Sequence, residues 1–210
     1  MRAALALVLV LGACRSADPP VTADPKLIAI SPIVTVRTDS IDGSTTSATF
    51  ALVDADNRGA TELMVTLHGD LVDGAGAVVG PLRRESLRIP AGGRRTFALV
   101  DDALKGHPEA TGAKVSVDGA YVPTTAARMR IADGNAYADN GRAVAAGNLV
   151  NDSDAPGKAV VIASFHDADG KPMTRPFDVV DIGAHVTRSV RFVGPPGSRS
   201  AQIFVGDVTY

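Results

Sequence analysis

Four histidines (His68, His107, His166 and His185), a single cysteine (Cys14) and two dense acidic turns carry the chemical capacity of this 210-residue chain. No two histidines stand at a metal-ligand spacing such as His-x-His or His-x3-His. His68 and His166 lie near the ends of alternating apolar runs, just before Asp70 and Asp167, and are expected as solvated strand residues. Only convergence with carboxylates in a concave pocket would give His68, His166 or His185 a catalytic use. Asp167-Ala168-Asp169-Gly170 has the alternate carboxylates and glycine with which calcium loops open. A full loop also needs a distal bidentate Glu, and the twelfth position from Asp167 is Asp178, with Lys171, Pro172 and Arg175 between. The spacing predicts a hairpin turn, in which Asp accepts backbone N–H bonds and Gly takes positive φ. Asn151-Asp152-Ser153-Asp154 reads the same way, with calcium at Asp152, Asp154, Asp167 or Asp169 as the secondary reading. No Gly-x-Ser-x-Gly elbow is present. Gly74-Ala75-Gly76 and Gly92-Gly93 open no predicted helix, so phosphate cradling lacks its context. No catalytic residue, metal or cofactor is predicted.

Cys14 is a different matter. It closes Leu11-Gly12-Ala13-Cys14 directly after the apolar run Ala3 to Leu11, with Arg2 ahead of it. That run is about half of what a membrane-spanning helix needs and suits a signal-peptide core. The arrangement resembles the lipobox of bacterial lipoproteins. The resemblance implies cleavage of residues 1–13, a diacylglycerol on Cys14 and acylation, for instance with palmitate, of the new amino terminus. One acyl chain holds a protein to a membrane only marginally, whereas two or three hold it durably. Arg15 rather than Asp after the cysteine resembles enterobacterial signals for delivery to the outer membrane, facing the periplasm. The alternatives are an ordinary secretory leader or a buried free thiol.

Past Cys14 there is no thiol, so no disulfide staples the fold. Removing the first 13 residues leaves 197, in which 20 basic residues face 23 acidic ones. That balance offers no basic field for nucleic acid. Residues 14–24 form a polar, proline-rich tether from lipid to body. Beyond it no apolar stretch nears membrane-span length.

The elements that must position these residues are strands. Alternation, not helical spacing, marks 48–53, 63–71, 85–89, 96–100, 113–117, 159–165, 186–192 and 201–205. Gly, Asp, Asn and Pro separate the runs at short intervals, as in an all-β antiparallel sandwich. Residues 126–131 read as strand, and Asp102 to Lys105 as a single turn at most. Arg83-Arg84 and Arg94-Arg95 read as edge-strand charge that discourages sheet-to-sheet aggregation. Tyr121, Tyr137 and Tyr210 are expected to lock strand ends. With no Trp and three Tyr, the chain lacks the aromatic platforms of sugar or single-strand binding.

The order of features repeats. Leu71-Val72-Asp73-Gly74-Ala75-Gly76, an apolar patch at 87–92, a strand at 95–100 and a last strand closing at Tyr121 answer Phe165-His166-Asp167-Ala168-Asp169-Gly170, 180–183, 188–193 and a last strand closing at Tyr210. The expected organisation is two tandem Ig-like β-sandwich domains, 25–123 and 125–210, joined near Pro123-Thr124, with the surplus of the first in the 101–109 loop. Gly147-Asn148-Leu149-Val150-Asn151, Val161 to Gly170 and the terminal Tyr210 make the second domain similar to the FxLYD domain of bacterial envelope proteins. His166 stands where that family commonly has Tyr, and Val72 where the first half would have it. The resemblance implies a sandwich and an envelope location, and no chemistry. The expected role is that of a lipid-anchored, non-enzymatic module that binds or assembles an envelope protein. The alternative is a small-ligand, metal or glycan binder using loops 151–158 and 167–172.

Overall fold

The alternating runs fold as antiparallel strands. The structure, a computed structural model, describes residues 21–40 and 47–209; the leader, Cys14 and Tyr210 lie outside that range. In chain order the strands are β1 Val21–Thr22, β2 Ile28–Ser40, β3 Ser47–Asn57, β4 Leu63–Val72, β5 Val78–Ile89, β6 Arg94–Val100 and β7 Gly112–Val122. There follow β8 Met129–Asp139, β9 Arg142–Asn151, β10 Gly157–His166, β11 Pro172–Thr174, β12 Phe177–Ile182, β13 Thr187–Val193 and β14 Ser200–Thr209. A single 3-10 turn at Pro25–Leu27 is the only helical element among the described residues. The protein is all-β and the sheets pair as in an Ig-like sandwich.

Sheet order shows why the features repeat. In the first half β2-β3-β6 faces β1-β7-β4-β5. In the second, β8-β9-β13 faces β14-β10 with β11 and β12 both on the far side of β10. The places taken by β2, β3, β4, β6 and β7 are filled again by β8, β9, β10, β13 and β14. The single strand β5 is replaced by β11 and β12. The break falls at Arg175-Pro176, where proline has no N–H for a ladder.

The turns repeat down to single atoms. Asp73 Oδ1 accepts the amides of Ala75 and Ala77, and Asp167 Oδ1 those of Asp169 and Lys171, all near 2.9–3.0 Å. Gly76 and Gly170 close these turns at φ of 81° and 76°, where a Cβ would be strained. Asn57 ends β3 by donating to Thr61 O and Ile89 O, and Asn151 ends β9 by donating to Ala155 O and Gly183 O. From 57 to 151 and from 73 to 167 is 94 positions in each case.

The larger core lies between the first two sheets, around Phe97, Leu63, Leu67, Leu71, Ile89 and Leu99. The second half has two smaller clusters, around Met129, Leu149 and Val161 and around Phe165 with three alanines. Ile162 and Phe204 belong to the first core although the second half supplies them. Odd residues of β10 face their own core. The even ones turn toward the first half, where Val160 and Ile162 pack on its core and His166 meets Asp54 of β3 and Thr96 of β6.

Three local expectations need adjustment. Residues 126–128 precede β8 and are not strand. Val21 and Thr22, placed in the tether by composition, pair with Val122 and Tyr121 of β7. His68 lies mid-strand in β4, not near its end.

Candidate functional site

The expectation that His166 is solvated is wrong. The outward residues of β3 and β6 meet the end of β10, and His166 is only 5% exposed there, against Asp54 at 2% and Thr96 at 0%. His166 Nε2 lies 3.0 and 3.2 Å from the two Asp54 oxygens and 3.4 Å from Thr96 Oγ1. Thr96 donates its hydroxyl to Asp54 Oδ1 at 2.6 Å. Arg94 stands 4.0 Å from Asp54 and is itself held to Asp56, whose hydrogen bond raises its pKa further. A nucleophile relay needs the hydroxyl to donate to one imidazole nitrogen while the carboxylate holds the other. Here one nitrogen faces both partners and the hydroxyl proton goes to the carboxylate. The cluster therefore lacks the relay geometry and fastens the two halves.

A second constellation has the right atoms in the right order. On the outer face of β4 and β7, Ser116 Oγ lies 3.2 Å from His68 Nε2, and Asp118 Oδ1 is 3.7 Å from His68 Nδ1. His68 also borders a shallow cleft with Arg83, Arg84 and Asp102. Two things are missing. His68 Nδ1 has no hydrogen-bond partner, because Asp118 is turned to Arg84 at 3.0 Å. Strand amides lie in the sheet plane while side chains stand out of it, so none points to where an oxyanion would form above Ser116.

His107 organises the surplus loop. Its Nε2 meets buried Asp101 at 3.0 Å and its Nδ1 meets Glu109 at 3.1 Å, so both ring nitrogens face carboxylates and both donate in the charged form. Asp101 also accepts the amides of Ala103 and Lys105 and so fixes the turn at 101–105. The hydrogen bond to Glu109, then the Asp101 charge, raises the His107 pKa against the cost of burial. Glu109 is lowered, first by its own backbone amide and then by His107. A raised histidine pKa stabilises the fold fully below the ordinary value of 6.5 and stops doing so as pH rises through the higher folded value. The denaturant midpoint is therefore expected to fall as pH climbs from about 6.5 toward 8, and His107→Gln to flatten that segment of the profile. An unchanged slope in the variant would show that the loop clamp does not titrate.

The acidic turns hold their own backbone or neighbouring cations. Asp167 closes its turn as described. Asp152 pairs with Arg130 at 2.8 Å and Asp154 with His185 at 2.8 Å, His185 having a φ of 54°. Asp169 donates its amide to Asp167. Among the described residues, no three His, Cys, Asp or Glu side chains gather as a metal site. Arg83 and Arg84 lie on the exposed edge strand β5, with Asp102 and Asp118 as partners. Arg94 is exposed edge charge as well, whereas Arg95 turns inward over the Phe204 ring. Tyr121 and Tyr137 are partly exposed, and Tyr137 accepts a hydrogen bond from Arg191.

Two exposed apolar side chains lie together elsewhere. β12 has β10 on one side and, among the described residues, no strand on the other. Its residues Phe177 and Val179 are 57% and 51% exposed. Beside them a groove of about 480 Å³ runs between the halves, floored by Phe50, Leu52, Ala98 and Pro176, with Arg37 and Arg175 on its flanks. Arg37 donates to Met173 O and Arg175 to Glu85, so both guanidinium groups are engaged across the junction. Sequence reasoning found β12 only as an apolar patch at 180–182. It missed Asp54, although Asp54 and Asp56 continue the two-residue period of 48–53.

Comparison with protein-family models and with curated proteins returned no match.

Proposed function

We propose that the protein is a lipid-anchored, non-enzymatic envelope lipoprotein that binds a partner protein along β12. The observation that carries this reading is the free β12 edge with Phe177 and Val179 exposed beside an apolar groove. An unpaired strand offers a ladder of N–H and C=O groups to an incoming extended segment, and alternate side chains supply selectivity. Soluble edges are normally blunted by charge, and here Asp178 and Asp181 provide it on a strand whose other exposed residues are apolar. The lipobox-like Cys14 places the module at a membrane surface, in this reading the outer membrane facing the periplasm. No helix among the described residues is long and apolar enough to cross a membrane. The FxLYD-like character of the second half, and the division into two domains near Pro123, belong to the same proposal.

A photoreactive phenylalanine at position 177 in the native envelope tests it. A discrete adduct is expected there, absent from the same probe at exposed Ser86 and lost with Val179→Lys, which puts a charge on the edge. Adducts shared by both positions, or adducts indifferent to Val179→Lys, would sink the β12 reading. In the same cells Cys14→Ala is expected to move the protein out of the membrane fraction. Retention there would remove the lipid anchor from the proposal.

A further inference from the structure

Five buried side-chain polar atoms have no hydrogen-bond partner among the described residues. Four of them, Arg95 Nε, Ser164 Oγ, Arg175 Nε and Gln202 Oε1, lie where the two halves meet. Each such atom costs about 1–3 kcal/mol, so stability alone does not account for the polar character of this junction. Arg95 and Gln202 also line a single cleft of about 630 Å³, together with Asp56, Arg94, the Gly92-Gly93 turn and Asn135 of β8.

The cleft holds two guanidinium groups in different electrical states. Arg94 is neutralised by Asp56, with bonds of 2.6 and 3.1 Å. Arg95 has no carboxylate bonded to it. Its guanidinium carbon stands 4.6 Å from the centre of the Phe204 ring, and one Nη donates to Arg94 O at 2.8 Å. Burial lowers its pKa; Glu62, the charge that opposes this, is hydrogen-bonded to Arg88 instead. The other Nη of Arg95 and the carboxamides of Gln202 and Asn135 make no hydrogen bond among the described residues. An arginine stacked on an aromatic face keeps its fork fixed, and a fixed, partly desolvated fork favours a planar anion. A sugar would need an open aromatic face, and Arg95 already covers that of Phe204.

We propose that this cleft is a carboxylate-binding site for a peptide, with Arg95 meeting the carboxylate and the carboxamides of Gln202 and Asn135 completing its hydrogen bonds. One negative charge matches Arg95, to which no carboxylate among the described residues is bonded. A C-terminal carboxylate and an Asp or Glu side chain share this chemistry. The site deepens the protein-binding reading but stands apart from β12, so crosslinking at Phe177 and binding here succeed or fail separately.

Titration of the full-length chain in detergent tests the site, with amide chemical shifts as the readout. The probes are N-acetyl-Gly-Gly acid, the same peptide as its C-terminal amide, and N-acetyl-Asp amide. Saturable shifts confined to 92–95, 134–136 and 201–203 are expected with one or both carboxylates, and the better of the two identifies the source. The uncharged peptide is expected to give none. Arg95→Lys keeps the charge and loses the fork, and Gln202→Leu removes the carboxamide. Each should weaken binding about tenfold or more, as loss of a hydrogen bond to a charged group does. Gln202→Leu also removes an unpaired buried oxygen, so its thermal midpoint should hold or rise while binding falls, a combination that misfolding does not produce. No saturable shift with either carboxylate, equal binding of the amide, or unchanged affinity in both variants would overturn the proposal.

Discussion

Asp54→Ala is expected to cost about 3–5 kcal/mol, because it removes one side of a buried polar pair and leaves the other unpaired. The Asp54 carboxylate accepts from Thr96 at 2.6 Å and faces His166 at 3.0 Å, in a place closed to water. Without it, the Thr96 hydroxyl and the imidazole keep their desolvation cost and lose their partner. In a chain of this size the thermal midpoint should fall by about 10 °C. His166→Ala made on top of Asp54→Ala should cost far less than His166→Ala alone, since the two residues belong to one interaction. A loss under about 1 kcal/mol, or strictly additive single variants, would mean that the junction does not depend on this pair. Because Asp54 and His166 are 112 positions apart and lie in different halves of the chain, the same substitution reads out the coupling of the halves. Separate melting steps in Asp54→Ala would show that the pair links them.

Phe165→Ala is expected to be nearly as damaging, at about 3–5 kcal/mol. Phe165 is fully buried, and its core neighbours Ala143, Ala145 and Ala163 are too short to swing into the space it leaves. The cost of a cavity depends on how far its walls can collapse, and the alanine walls on β9 and β10 collapse little. Gly194 shows how closely the ring is fitted. A Cβ added there would lie 2.5 Å from Phe165 Cδ1 and 2.5 Å from Ser198 Oγ. Equilibrium unfolding in guanidinium measures the loss. A cost near 1 kcal/mol would show that this small cluster repacks and that the Met129–Leu149–Val161 cluster holds the second half by itself.

Much of the fold was legible because its signals are local. Period-two alternation at 63–71 set β4 almost to its ends, since one face of that strand is buried and the other is not. The Asp73 and Asp167 turns followed from aspartate and glycine at fixed offsets, and those side chains bond backbone only two and four residues away. β3 was cut short at Val53 for the opposite reason. It is covered on both faces, so Asp54 and Asp56 looked like the start of a loop when they were its outer face. β2 went unseen, with Pro32 and polar residues obscuring a strand of thirteen residues.

The candidate sites were far less legible. His166 carries no local mark of burial, and its partners Asp54 and Thr96 come from 112 and 70 positions away. Ser116 and Asp118 meet His68 only through the pairing of β4 with β7. The cleft around Arg95 exists only because the turn before β6 comes to rest against β8 and β14.

By itself the sequence determined an all-β chain, the sites of its Asx turns, the order of features that recurs from the first half to the second, and the absence of any disulfide. These depend on side-chain period, on glycine's access to positive φ and on a count of thiols, none of which needs a distant residue. The tertiary structure alone decided which outer faces are covered, and hence that His166 is buried, that β12 is left open and that Arg95 stands in the cleft without a carboxylate bonded to it. Those outcomes follow from how the two halves of the chain pack on one another. Packing is set by the shapes and charges of faces assembled from strands far apart in the chain, which no local window of residues contains.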